Sequence, residues 1–446
     1  MVSRLRQFFH LHPGEGGLVL ILSLILLGNS LAMQVSYVVS ISGFLTEENA
    51  SEMLLVWVID MVIIIVLTGL QSLVVDRFNR FNLITGMALS FAVVFLALRL
   101  MFAVQVAPGL TYALVYFMAE QQWLFFPLVF WVLANDIVDM AQAKRLFPLV
   151  ATGGFVGQML GLGLTLIAPA LTTQFELASE ELLLVNVLIY LLVGGLITLR
   201  LRRTRLRKTT HKHETVRETL TEGWSFIKEV PAFRFLTIAI FAMTLCDTVL
   251  EFHFMAVSEQ VYTSAEDYQT FYSLYRLGII VAAAAIQGLL TARIIKRVGL
   301  KHAFFILPFT LLSGALWALA LPGIGSSVGA MVLLKLARDT VDESSRKSFQ
   351  ALVPEERRGR VSMFMDSYLM AGGTLFAALA VAALLLIAGA AGGIEPYQLY
   401  LGLAVIVAGL AIFMVFKMRG VYDSSLFNWR LKRRQRGASV LDRLDF

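Results

Sequence analysis

Two related heptapeptides decide the architecture: residues 133–139 read LANDIVD and residues 336–342 read LARDTVD, identical at five of seven positions. Each copy closes an apolar run of helical length and is followed by a basic pair, Lys144-Arg145 or Arg346-Lys347. A short match gains weight because the copies fall at equivalent helices of a chain that divides in two. We therefore expect two pseudo-repeated halves, as in many membrane carriers.

The composition around these copies is that of an integral membrane protein. Of the 446 residues, 58% are hydrophobic and 15% charged, and the mean hydropathy is +0.76. A soluble globular chain has about 45–50% apolar and about 25% charged residues. These values exclude a soluble enzyme, a disordered chain and a secreted disulfide scaffold. The single cysteine, Cys246, cannot close an intrachain disulfide.

Twelve apolar runs are long enough to cross a bilayer, since one helical crossing takes roughly 20 apolar residues. The first run, from Gly17 to about Ile41, is too long for the apolar core of a signal peptide. In chain order, spans 1 to 12 cover residues 17–41, 53–75, 82–104, 110–134, 149–171, 181–200, 234–258, 270–293, 302–322, 325–345, 361–390 and 396–417. The predicted fold class is all-α integral membrane, with twelve transmembrane helices in two six-helix halves.

The distribution of basic residues predicts the orientation of these spans. The segments assigned to the inner side hold 34 of the 37 lysines and arginines, and the outer loops hold none. Positive charge is retained on the cytoplasmic side of membranes, so both termini are expected to be cytoplasmic, in a bacterial inner membrane. The predicted domains are two halves, 1–200 and 234–420, with a basic linker at 201–233 and a basic tail at 421–446. The tail can contact anionic lipid headgroups, and no nucleic-acid partner is predicted.

The linker also carries a helical pattern. Val216, Leu220, Trp224 and Ile227 recur at helical spacing, which indicates either an interfacial helix on the inner membrane surface or a solvated linker helix.

Charged groups near the middle of the spans mark the candidate substrate site. They are Glu120 on span 4, Asp247 and Glu251 on span 7, and Lys335 and Arg338 on span 10. One charge at the bilayer centre costs about 2.5–3.5 kcal/mol, so these side chains are expected to face an interior. The alternative is that the two cations pair with aspartates one turn further along span 10. Span 1 contributes uncharged polar candidates, which include Asn29 and Gln34.

A second group of charges is a candidate set of gates. Asp136 and Asp139 end span 4, where the helix dipole disfavours anions, and Arg77 and Arg80 are their expected partners. This contact is either an inner gate or a structural clamp. Nearer the outer face, Arg276 is either a gate residue or a side chain that extends to the interface, and Arg346 belongs to the candidate ion pairs after span 10.

Two loops resemble degenerate forms of the signature of the major facilitator superfamily: Asp76-Arg77-Phe78-Asn79-Arg80 and Lys296-Arg297-Val298-Gly299. In that superfamily the central cavity is lined by spans 1, 4, 7 and 10. The resemblance implies a central cavity at the charges named above.

A closer resemblance is to the plastid and intracellular-bacterial ATP/ADP translocases. It rests on Glu120 with Phe130-Trp131, Ala134-Asn135, Ala143-Lys144-Arg145 and Phe147, and on Glu251, Lys335, Arg338, Arg346 and Arg358-Gly359-Arg360. This family handles nucleotides with intramembrane lysines and glutamates, which implies that role for Glu120, Glu251 and Lys335. Span 1 departs, because uncharged residues from Asn29 to Gln34 replace the family's charged stretch.

The leading hypothesis is therefore a secondary transporter of a nucleotide or another anionic metabolite. A proton-coupled carrier of another small solute is the second, and a non-transporting sensor or anchor for a soluble partner is the third. The basic tail is where a soluble C-terminal extension would begin. The sequence has no P-loop, no metal-ligand spacing and no nucleophile beside a base, so neither an enzyme nor a cofactor is predicted.

Overall fold

A computed structural model describes residues 12, 15–75, 79–175, 178–201, 216–350, 353, 355–391, 393 and 395–441. Every regular element within those residues is a helix, which confirms the all-α class. The chain groups into two compact units.

The first unit comprises Met1–Asn49, Leu70–His213 and Glu259–Ile280. Its helices are Glu15–Glu47, Arg80–Ala103, Pro108–Ile137, Met140–Phe175, the short 3-10 helix Ser179–Glu181, Leu182–Leu196 and the π-helical segment Ile197–Leu201, and the helix Ala265–Ile286 begins in it. The unit therefore holds spans 1, 3, 4, 5 and 6 and the first part of span 8.

Spans 1 and 5 lie unusually close because glycines of span 5 face the backbone of span 1. A Cβ atom on Gly157 would lie 2.3 Å from the carbonyl oxygen of Leu27, and one on Gly153 would lie 2.4 Å from that of Ser23. Small residues at this spacing let two helix backbones approach each other in a membrane. This close contact holds span 1 against span 5.

The second unit comprises Ala50–Gly69, Glu214–Ser258 and Val281–Phe446. Its helices are Val216–Glu229, Pro231–Val261, the π-helical segment Gln287–Thr291, Ala292–Val298, Leu300–Ala303, Ile306–Ala320, Ile324–Leu336, Glu343–Gln350, Glu355–Met363, Leu369–Ala391 and Pro396–Leu441, and the helix Ala50–Val75 begins in it. Two further π-helical segments, Ala337–Asp342 and Phe364–Tyr368, interrupt spans 10 and 11.

Eleven helices in the described part of the chain are long and apolar enough to cross a membrane. They match every predicted span except span 10. Residues 324–350 are helical as well, but four charged residues fall between positions 335 and 342. Span 10 therefore differs from the other spans in its charge and not by a break in the helix. The count of twelve crossings stays a prediction.

The linker forms the predicted helix, Val216–Glu229. Its Glu222 makes an ion pair with Arg360 at the start of span 11. On the predicted apolar face, Ile227 is buried and Trp224 is exposed, while the side chains of the other two residues lie outside the described set. The helix is therefore held to the second unit by an ion pair as well as by apolar packing, and its contact with the bilayer stays a prediction.

Candidate functional site

Four of the predicted cavity residues meet in the second unit. Asp247 and Glu251 lie one turn apart on span 7, and Lys335 and Arg338 lie about one turn apart on span 10, so each pair shares a helix face. Lys335 Nζ is 3.2 Å from Glu251 Oε2 and 3.8 Å from Asp247 Oδ1. Arg338 donates a hydrogen bond to Asp247 Oδ2. These four residues form what we call the span 7/10 charge cluster.

The span 7/10 charge cluster joins helices that are far apart in sequence. Local pairing along span 10 also occurs, because Asp342 pairs with Arg346 one turn further along, at 2.9 Å between Oδ2 and Nε. Lys335 is half-buried and Asp247 is buried. Charges shielded from bulk water interact more strongly than surface charges, so each carboxylate stabilises the cation that it faces.

Arg346 is the centre of a second set of contacts, this one between spans 10 and 11. Its Nη1 lies 3.0 Å from Asp366 Oδ1, and the same carboxylate accepts hydrogen bonds from Lys347 at 2.6 Å and Gln350 at 2.9 Å. Asp366 lies in the π-helical segment Phe364–Tyr368. The predicted gate residue Arg346 is thus buried among groups of its own unit.

A small cavity of about 20 Å³ lies between these two sets of charges. It is lined by Ile240, Met243, Thr244, Asp247, Leu307, Leu311, Arg338, Asp342, Arg346 and Met370. That volume is about enough for one water molecule. Part of its wall, Arg338 to Asp342, belongs to a π-helical segment, and such segments often occur at functional sites.

The predicted site residues of the first unit have a different environment. Glu120 accepts a hydrogen bond from the hydroxyl of Tyr37 on span 1. The guanidinium of Arg276 lies 4.8 Å from the centre of the Tyr37 ring and 5.6 Å from that of Tyr272. Glu120 and Arg276 are therefore both bound to Tyr37. This arrangement combines one carboxylate, one cation and aromatic rings.

Asn29 and Gln34 are each only 1% exposed. Asn29 accepts a hydrogen bond of 2.8 Å from the hydroxyl of Tyr190 and donates one of 2.9 Å to the backbone oxygen of Gln122. Gln34 packs through its Cβ against Gly161 of span 5. The structure places both residues in the packing between helices, where they hold span 1 in position.

The contact predicted between the arginines after span 2 and the aspartates at the end of span 4 is present in part. Arg80 Nε lies 3.4 Å from Asp136 Oδ2; Asp136 is buried and the Arg80 side chain is 11% exposed. Asp139 lies beyond the end of the helix Pro108–Ile137, and its Oδ1 accepts a hydrogen bond of 2.8 Å from the backbone N–H of Gln142. It therefore caps the start of span 5, where a helix favours an anion. Arg77 lies outside the described residues.

Two residues of these sites were not predicted from the sequence. Tyr37 is an aromatic residue in an apolar run, and a search for charges passes over it. Asp366 lies near the end of span 11 that follows Arg358-Gly359-Arg360. Its carboxylate lies inside the span, away from the basic residues that flank the span. A carboxylate at such a position needs a cation within the span, and this requirement marks Asp366 in the sequence.

Solved transporter structures share this fold. A bacterial homologue of the human lysosomal transporter Spinster is similar with a TM-score of 0.61 and 15% identity, over 93% of this chain and 98% of that one. A variant of the nucleoside transporter NupG gives a TM-score of 0.62 and 15% identity, over 91% and 100%. A bacterial homologue of the iron transporter ferroportin gives 0.61 and 17%, over 90% and 98%. At these identities the likeness concerns the fold alone.

One sequence comparison is specific. A family model described as TLC ATP/ADP transporter matches residues 83–332, which include Glu120, Asp247 and Glu251. No curated protein matches the chain in sequence.

Proposed function

Since the chain belongs to the TLC ATP/ADP transporter family, we propose that this membrane transporter is a secondary-active carrier that exchanges a nucleotide or another anionic metabolite by alternating access. In this proposal twelve spans cross the membrane in two six-helix halves. The resemblance inferred from the two sequence blocks is confirmed by the family match, and the substrate and mechanism are our proposal.

The observation that carries the proposal is the pairing of Lys335 with Glu251 at 3.2 Å and of Arg338 with Asp247. A cation without a partner at this depth would be strongly destabilising, because its lost hydration would be uncompensated. The carboxylates stabilise the cations while no substrate is bound. A substrate phosphate supplies the same negative charge, so it can replace a carboxylate without leaving a cation unpaired.

The inner ion pair fits the same proposal. Arg80 and Asp136 join spans 3 and 4 at 3.4 Å. We assign this pair the role of an inner gate, which opens when the helices that carry it separate. The contact costs little to break once water reaches it, because exposed ion pairs contribute only about 0–1 kcal/mol.

The test is nucleotide exchange in vesicles that contain the purified protein. Lys335→Ala is expected to lower exchange at least about tenfold, since truncation of one member of a buried charge pair leaves the other unpaired, and Lys335→Arg is expected to retain part of it. The control is Lys301→Ala, which removes an exposed lysine paired with Asp423 at 2.7 Å and should leave exchange unchanged. Exchange by Lys335→Ala at the parent rate would refute the assignment.

A proton-coupled carrier is the second candidate, and Asp247 is the residue that favours it. Its buried Oδ1 has no hydrogen-bond partner among the described residues, and Lys335 Nζ lies 3.8 Å from it. If uptake is driven by a pH gradient and Asp247→Asn abolishes that accumulation while exchange persists, the proton-coupled candidate is correct.

A further inference from the structure

Tyr37 on span 1 contacts two charged residues of other spans. Its hydroxyl donates a hydrogen bond to Oε1 of Glu120 on span 4. The guanidinium of Arg276 on span 8 lies over the face of its ring, 4.8 Å from the ring centre. One uncharged side chain therefore binds an anion through its hydroxyl and a cation through its ring.

The ring of Tyr37 is itself held in a defined orientation. Tyr116 on span 4 makes a T-shaped contact with it, at 6.0 Å between the ring centres and 84° between the planes. Tyr116 lies one turn before Glu120, so one face of span 4 supplies both contacts. T-shaped pairs are a preferred geometry of aromatic rings, and this pair orients the hydroxyl of Tyr37 toward the carboxylate.

Arg276 has a second aromatic contact on its own helix. Its guanidinium lies 5.6 Å from the ring centre of Tyr272, one turn earlier, and its Nη1 donates a hydrogen bond of 3.4 Å to the Tyr272 hydroxyl. A guanidinium stacks on aromatic faces more readily than an ammonium does, because it is planar and more weakly hydrated. The contact with Tyr37 therefore links span 8 to span 1 through Arg276.

The part of span 8 that carries Arg276 is packed within the first unit. Residues Glu259–Ile280 belong to that unit, and the same helix then continues in the second unit. Gln269 and Ser273 donate hydrogen bonds of 2.9 Å to the backbone oxygen and the hydroxyl of Thr165 on span 5. This part of span 8 is thus held to span 1 by a cation–aromatic contact and to span 5 by hydrogen bonds.

We propose that Tyr37 is a positioning residue that couples Glu120 to Arg276 and thereby controls how firmly span 8 is held to spans 1 and 5. Because one rigid ring makes both contacts, loss of the hydrogen bond at its hydroxyl lets the side chain turn away from the guanidinium. Any donor that binds Glu120 Oε1 displaces that hydroxyl, so the occupant of the carboxylate sets the strength of the contact with span 8. The inference rests on the proposed function, because alternating access requires such contacts to open and close.

The test measures how often span 8 separates from span 5. Ser273 is fully buried and bonded to Thr165, so a cysteine at its position reacts with a maleimide only when the two helices move apart. The reporter protein is Ser273→Cys in a Cys246→Ala background, purified at full length. The readout is the rate of labelling at a fixed maleimide concentration.

Tyr37→Phe removes the hydrogen bond to Glu120 and keeps the ring for Arg276, whereas Tyr37→Leu removes both contacts. We expect Tyr37→Phe to raise the labelling rate about tenfold, the effect of losing one hydrogen bond to a charged group, and Tyr37→Leu to raise it further. Glu120→Ala should also raise the rate, and adding Tyr37→Phe to it should raise the rate no further. This lack of additivity is expected because the hydroxyl acts through the carboxylate.

The matched control is Tyr112→Phe. It removes another tyrosine-to-glutamate hydrogen bond of the first unit, the one from Tyr112 to Glu180, and should leave the labelling rate unchanged. Because Tyr37→Phe and Tyr112→Phe lose the same kind of bond, their unfolding temperatures should be similar. A difference in labelling between them therefore reports the coupling and not a general loss of packing.

Labelling of Tyr37→Phe at the rate of the reporter protein would overturn the coupling, as would equal rates for Tyr37→Phe and Tyr112→Phe. Additive effects of Tyr37→Phe and Glu120→Ala would also overturn it. Nucleotide exchange in vesicles is measured separately, and Tyr37→Phe is expected to lower it about tenfold while Tyr112→Phe leaves it unchanged. Exchange by Tyr37→Phe at the parent rate would overturn the role of Tyr37 in transport. If the parent exchanges no nucleotide and the labelling pattern holds, the proposed function fails and the coupling stands.

Discussion

The contact between spans 1 and 5 leads to a sharp prediction for Gly157. A Cβ atom at this position would lie 2.3 Å from the carbonyl oxygen of Leu27 and 2.9 Å from its Cα. Both atoms belong to the backbone of span 1, which cannot turn aside as the end of a flexible side chain can. Gly157→Ala must therefore separate two helices along part of their length.

The magnitude follows from the kind of atom that is displaced. Forcing an extra carbon into a packed interior costs about 1–3 kcal/mol, and we expect Gly157→Ala to lie in the upper half of that range. Gly161, at 2.7 Å from the oxygen of Leu31, should show a smaller loss. Gly163 is the control, because a Cβ there would meet nothing within 4 Å, and Ala in place of Gly in a helix stabilises by about 0.5–1 kcal/mol.

The assay is reversible unfolding of the purified protein in mild detergent, with the three alanine variants compared under identical conditions. The order of stability expected is Gly163→Ala, then Gly161→Ala, then Gly157→Ala. If Gly157→Ala is as stable as Gly163→Ala, the helices are not held at the observed distance and the packing argument is wrong.

Three further predictions concern other parts of the chain. Arg80→Ala and Asp136→Ala should each destabilise the protein, and the double variant should lose less than their sum by about 0.5–3 kcal/mol in a double-mutant cycle; strict additivity would show that the pair does not interact. In a background without the native cysteine, a cysteine at Ser51 should react with an impermeant reagent added to intact cells and one at Ser348 should not, and the opposite pattern would invert the topology. Glu251→Gln should lower nucleotide exchange about tenfold with or without a pH gradient, because Lys335 keeps only one anionic partner; a loss confined to the pH-driven condition would point to proton coupling.

The charged groups inside the spans are the part of the site that the sequence predicts well. A charge in an apolar run is costly and needs a partner, so the list of candidates is short and the partners come from the same list. Lys335 with Glu251 and Arg338 with Asp247 are examples.

Uncharged residues of the site are harder to predict, because placing them inside a membrane span has no comparable free-energy cost that would single them out. Tyr37 in span 1 looks like any aromatic residue of a membrane helix, yet it contacts both Glu120 and Arg276. Asn29 shows the converse: its polarity makes it a site candidate, and in the structure its side chain is hydrogen-bonded to the Tyr190 hydroxyl and the Gln122 backbone. A polar side chain between helices and one facing a cavity have the same sequence signature.

The two copies of the repeated heptapeptide are similar in sequence but differ in backbone conformation. In the first copy the helix ends at Ile137, Val138 adopts an extended conformation, and Asp139 caps the next helix. In the second copy the chain stays helical by widening into the π-helical segment Ala337–Asp342. The equivalent aspartate, Asp342, therefore remains inside a helix.

Because of this difference, we expect only the second copy to contribute to a ligand site. Asp139 is exposed and hydrogen-bonded to the start of span 5, whereas Asp342 is buried, paired with Arg346 and part of the cavity wall. A π-helical turn adds one residue without breaking the hydrogen-bonded ladder and so re-aims the side chains that follow. The same five identities thus give a helix boundary in one unit and a charged cavity wall in the other, which is why we place the substrate's recognition groups in the second unit.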